Sequence, residues 1–125
     1  GKMLKVTAGQ SLSVSVTLVE ARGRVDGFVK AGGKGVAGAM VVLVPKHPES
    51  NGDYFRRDQS DLDGSFSLQQ VAPGTYTVVA IADGWDLDWS KAGVIAKYAA
   101  HGQMVTVPDS KDPVELRLPV EVQQK

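Results

Sequence analysis

The chain has 125 residues and 13.3 kDa, with 42% apolar residues, enough for one domain with its own core, and its longest apolar run, residues 39–44, is too short to cross a bilayer. Fourteen Lys and Arg balance fourteen Asp and Glu, so no strong field steers the protein towards nucleic acid or anionic lipid. Cysteine is absent, which excludes disulfides and thiolate metal sites without choosing a compartment.

The chain opens on Gly1-Lys2-Met3-Leu4-Lys5, with no initiator methionine and no apolar signal segment, and reads as a unit cut from a larger protein. Leu12, Val14, Val16 and Leu18 alternate with Ser13, Ser15 and Thr17, the pattern of a half-buried strand. Further strands are expected over residues 23–30 and 39–44, separated by the Gly-rich turn at 31–35. Another is expected over 54–60, closed by the turn Asp61-Leu62-Asp63-Gly64. Residues 65–68 and 75–82 then flank the Pro73-Gly74 turn, with Tyr76, Val78 and Ala80 on one face and Thr77, Val79 and Ile81 on the other. Residues 91–100 are alanine-rich and predict one short helix, despite Gly93 and the β-branched pair Val94-Ile95. Strands resume at 103–107 and 114–122.

Residues 1–6 resemble residues 102–107, and each stretch leads through a polar turn into an alternating strand. Two readings follow. Any two β-hairpins look alike; or residues 1–20 are the closing hairpin of a preceding, similar unit (or an extra edge strand), and 21–125 are the domain proper.

From Gly23 onward the motifs stand in a consistent order: Gly23-Arg24-Val25-Asp26-Gly27-Phe28-Val29, then Gly35-Val36-Ala37-Gly38-Ala39-Met40, Asp61-Leu62-Asp63-Gly64-Ser65-Phe66, Pro73-Gly74-Thr75-Tyr76, and Gly84-Trp85. This set resembles the carboxypeptidase regulatory-like domains. The resemblance implies an all-β, two-layer antiparallel sandwich of about seven strands with the transthyretin-like (prealbumin-like) fold. It also implies scaffolding or binding in place of catalysis. Collagen-adhesin B-type repeats are similar too, and some carry a Lys–Asn or Lys–Asp crosslink. Here the last strand offers Glu115 and Glu121, and the single asparagine, Asn51, falls in a loop, so no crosslink is expected.

Candidate chemistry is sparse. An EF-hand frame on Asp61-Leu62-Asp63-Gly64 would put amides, Gln59 and Gln70, at its first and last ligand positions, so a hairpin turn is the expected role. His47 and His101 lack metal-ligand spacing, and no serine lies in a Gly-x-Ser-x-Gly elbow. Neither a catalytic residue, a metal site nor a cofactor is expected. The remaining candidate is a carbohydrate-binding set, Trp85, Asp86, Asp88 and Trp89, in which indole faces stack on sugar rings and carboxylates accept hydroxyl hydrogen bonds. Its structural counterpart has Trp85 capping one end of the core and Trp89 packing beneath the helix.

The sequence therefore reads as a non-catalytic structural or spacer module of a larger multidomain, exported or cell-envelope protein. Its expected partners are neighbouring domains of the same polypeptide. The alternative is a carbohydrate- or protein-binding module using the Trp85/Trp89 loop.

Overall fold

The computed structural model describes residues 23–109 and 112–125. The proposed hairpin or edge strand at residues 1–20 lies outside the described residues. In chain order the elements are β1 (Gly23–Ala31), β2 (Lys34–Gly35), β3 (Met40–Pro45), β4 (Arg56–Gln59), β5 (Ser65–Val71), β6 (Gly74–Ala82), α1 (Ala92–Ala99), β7 (Gln103–Val107), β8 (Val114–Glu115) and β9 (Val120–Gln124). Seven of the described strands have four residues or more, and β2 and β8 have two each.

The strands form one curled sheet folded into two facing layers. One layer sets β3 between β4 and β6, with β7 on the far side of β6. The other sets β1 beside β5 and β8. The last strand joins them: Val120 and Glu121 of β9 pair with β1, while Val122, Gln123 and Gln124 pair with β6. These β9 pairings and that of β8 with β1 are parallel, which refines the expected antiparallel sandwich. β8 and β9 run in the direction of β1. Consequently β1 starts at one end of the sandwich and β9 finishes at the other.

Between the layers lies a core of Val25, Val29, Val41, Leu43, Phe66, Leu68, Val71, Tyr76, Val78 and Ala80, with smaller contributions around it. Each such side chain removed from water contributes about 1.5–3 kcal/mol. The opposite faces of β3 and β6 are also buried. Met40, Val42, Val44, Val79 and Ile81 pack there against Ile95 and Tyr98, three residues apart on one side of α1, and against Phe55. Burial on both faces is why residues 39–44 read as an unbroken apolar run.

Three strand boundaries differ from the sequence expectation, each for a local reason. The strand expected over 54–60 begins at Arg56, because Gly52–Tyr54 form a 3-10 turn. Arg56 holds that turn through hydrogen bonds from Nη1 to the Asp53 and Phe55 carbonyls. The strand expected to end at Leu68 runs on to Val71 through a bulge: Val25 pairs with Leu68 but Gly23 with Val71. Gln70, at φ +56°, supplies the extra residue, so Leu68 and Val71 both reach the core. Finally, the strand expected over 114–122 breaks before Val120, where Pro119 has no N–H to give a ladder.

The seam between β4 and β5, where the layers meet without pairing, is closed by side chains. Asp58 accepts a hydrogen bond from the Ser67 backbone N–H at 2.8 Å, and Arg56 Nε donates to the Gln70 carbonyl at 3.1 Å. Strand edges left bare in this way recruit other chains, and these two contacts occupy them.

Candidate functional site

The loop between β6 and α1 carries all four residues of the expected carbohydrate site. It is a chain of tight turns, with the Leu87 N–H donating to the Gly84 carbonyl at 2.9 Å and the Lys91 N–H to that of Asp88 at 3.1 Å. Leu87 and Trp89 turn inward onto the helix-side core. The Trp89 ring meets Phe55 edge-on, with centroids 6.3 Å apart and planes at 73°. Trp85 turns outward and stays 41% exposed, its indole Nε1 donating to the Gly38 carbonyl at 3.2 Å.

Arg57, across the sheet on β4, organises the pair. Its guanidinium carbon lies 5.1 Å from the Trp85 ring centroid and 4.8 Å from that of Trp89. Such a cation–aromatic contact contributes about 0.5–1 kcal/mol at an exposed site. Strand alternation explains the placement. Arg57 pairs with Val42, whose side chain faces the helix-side core, so both point to the side where the tryptophan loop lies.

The two carboxylates of the set already have cationic partners. Both oxygens of Asp86 lie 2.8 Å from Lys125 Nζ, which fastens the chain just beyond β9 to the loop. That hydrogen bond, helped by the charge of Lys125, holds the Asp86 carboxyl below the usual carboxylate range. Asp88 sits 3.5 Å from Lys91, with both groups exposed. The structure thus brings Trp85 and Trp89 together around Arg57 and directs Asp86 and Asp88 to separate lysines. Sequence reasoning missed Arg57 and Lys125. The signal for Arg57 was present in the adjacent basic pair Arg56-Arg57 beside Phe55, which alternation divides between two faces.

The other chemical candidates have structural partners. Asp63 Oδ1 accepts from the Ser65 hydroxyl at 2.7 Å and the Ser65 N–H at 3.0 Å, and these bonds lower its pKa. Gly64 closes the same turn, its N–H donating to the Asp61 carbonyl at 2.8 Å. His47 and His101 are exposed and far apart in sequence, and among the described residues no cluster of His, Asp and Glu could hold a metal ion. No helix among the described residues is long and apolar enough to cross a membrane. A cleft of about 610 Å³ lies elsewhere, against β1, β4, β5 and β8.

Comparison with known proteins adds a family. The sequence model described as "BOS complex subunit NOMO1-like, second beta sandwich domain" matches residues 21–107, which include β1 to β7. No curated protein matches the chain. Among solved structures, the chain is similar to the major pilin subunit BcpA of Bacillus cereus, at 11% identity and TM-score 0.47, over 83% of this chain and 30% of that one. It is similar to a candidate carbohydrate binding protein of Pseudomonas aeruginosa, at 14% identity and TM-score 0.48, over 85% of this chain and 90% of that one. It is also similar to the minor pilin of Streptococcus agalactiae, at 16% identity and TM-score 0.44, over 86% of this chain and 46% of that one. The chain therefore spans under a third of the first pilin's length and under half of the second's.

Proposed function

Because this chain belongs to the NOMO1-like family of second beta-sandwich domains, we propose that it is a non-catalytic structural module within a series of sandwiches in a larger protein. The observation that carries this reading is the course of the chain: β1 starts at one end and the parallel β9 finishes at the other. Such a unit extends a polypeptide along its length without folding it back. A domain described as second in its family has a sandwich before it, which supports assigning residues 1–20 to the close of a preceding unit and 21–125 to this one. The exported or cell-envelope setting is carried over from the resemblance to carboxypeptidase regulatory-like domains.

The test is excision. Removing residues 21–125 from the parent protein should shorten its maximum dimension in small-angle X-ray scattering by about 30 Å, the length of a nine-residue strand. An unchanged dimension, or the loss of a ligand-binding activity, would count against a spacer.

A second reading is favoured by the exposed ring of Trp85. In it the loop is a carbohydrate- or protein-binding site, with Trp85 stacking on the ligand and Asp86 and Asp88 exchanging their lysines for ligand hydroxyls. Saturable quenching of tryptophan fluorescence by a soluble oligosaccharide, lost in Trp85→Ala, would establish it.

A further inference from the structure

A cleft of about 610 Å³ runs along β1, β5 and β8 and across the seam to β4, and no residue of the tryptophan loop lines it. On β1, Val25 and Val29 point into the core, so Arg24, Asp26 and Phe28 project onto the outer face. In register, Asp26 lies beside Ser67 of β5 on one side and Glu115 of β8 on the other. Like charges directly opposite across neighbouring strands repel. Arg24 offsets only part of this, donating from Nε to Asp26 Oδ2 at 3.0 Å. The other oxygen, Asp26 Oδ1, is buried and accepts no hydrogen bond among the described residues.

The imbalance extends around the cleft. Its lining includes four carboxylates (Asp26, Asp58, Asp61 and Glu115) against one cation, Arg24. Beside them Phe28 is 46% exposed. An aromatic face next to unbalanced carboxylates suits a guanidinium or ammonium group, which stacks on the ring and donates to the oxygens. A neutral sugar would leave the charge excess as it is.

We propose that this sheet face binds a polypeptide segment bearing arginine or lysine, with Phe28 beneath the cation, the exposed Glu115 carboxylate as its acceptor and Asp26 adding negative charge behind it. The inference adds a partner to the structural module and is independent of the tryptophan loop.

The probe is an end-blocked Gly-Arg-Gly-Arg-Gly peptide, titrated into the ¹⁵N-labelled full chain in about 0.15 M salt, where non-specific surface attraction is largely screened. The expected result is saturable amide shifts confined to residues 24–28, 65–67 and 114–116. Phe28→Ser and Glu115→Gln should each weaken binding about fivefold. Asp53→Asn, outside the cleft, should not change it. Both cleft variants alter exposed side chains, and the same spectra report whether each remains folded. Shifts spread over the whole acidic surface, affinity indifferent to both variants, or the same residues answering a neutral oligosaccharide but not the peptide would each overturn the proposal.

Discussion

Tyr76 Oη, buried between the sheets, donates a hydrogen bond to the Ala72 carbonyl at 2.6 Å, spanning the Pro73-Gly74 turn. The bond gives the Pro-Gly-x-Tyr motif its physical meaning. The turn sets the spacing, the ring fills the core, and the hydroxyl satisfies a buried carbonyl that opens the turn. Tyr76→Phe keeps the ring and removes that donor. The expected cost is about 1–3 kcal/mol, because a buried acceptor is left unsatisfied. Chemical denaturation of the two proteins measures it, and equal midpoints would show that the hydroxyl contributes nothing.

Gly64 makes a contrasting case. Its φ is +88°, and a Cβ there would run into the Val29 carbonyl oxygen and the Gly35 backbone. Gly64→Ala should cost more than about 2 kcal/mol, combining backbone strain with steric displacement. Gly32, at φ +58° with open space around it, is the control, and Gly32→Ala should cost about 1 kcal/mol or less. Similar losses at both sites would refute the steric part of this account.

Arg57→Ala should release the tryptophan pair. Two cation–aromatic contacts disappear, with an expected loss of about 1–2 kcal/mol. Tryptophan emission should move to longer wavelength as water reaches the indole faces that the guanidinium covers. Arg57→Lys should fall between the two, since an ammonium lacks the flat face that stacks on two rings. Emission unchanged in Arg57→Ala would mean the rings are held by Phe55 and Gly38 alone.

The Lys125–Asp86 contact predicts a pH window. Asp86 is depressed below 3.8 and Lys125 raised above 10.5, each chiefly by the hydrogen bond between them. The Asp86 contribution is present above the ordinary carboxylate pKa and fades as pH falls through the depressed value. The Lys125 contribution is present below the ordinary lysine pKa and fades as pH rises through the raised value. Hydrogen-exchange protection factors at residues 120–124 should therefore be level across neutral pH and fall at both extremes. Both groups are exposed, so the effect should stay local. Lys125→Gln should lower the same protection factors at neutral pH, and no change there would remove the tether from the account.

Periodicity made some of this molecule legible and hid the rest for identifiable reasons. The two faces of β6 were readable because Tyr76, Val78 and Ala80 alternate cleanly with Val79 and Ile81, and both sets found cores. The helix at Ala92–Ala99 was readable from composition, although its stability comes from Ile95 and Tyr98 packing on the sheet. The extension of β5 was hidden because a bulge at Gln70 breaks the period of two. The parallel pairings of β9 depend on which layer the chain returns to after residue 107, and no local pattern encodes that. At the candidate site, Trp89 packs on the helix-side core while Trp85 lies outward on Arg57. Arg57, on β4, and Lys125, just beyond β9, come to the loop from positions distant in sequence, so only the fold could bring them there.

The parallel run of β1 and β9 also decides how the sandwich answers tension. A pull applied at Gly23 and Lys125 drives these two strands in opposite directions along their shared axis. The hydrogen bonds joining Val29 and Lys30 of β1 to Val120 and Glu121 of β9 then lie across the load and are strained together. A hairpin pulled at its open end loses its bonds one after another, each under little force. Here rupture requires the adjoining bonds to yield at once, with the β6 pairing of Val122 to Gln124 loaded behind them. The joint that connects the two layers is therefore also the part that resists stretching.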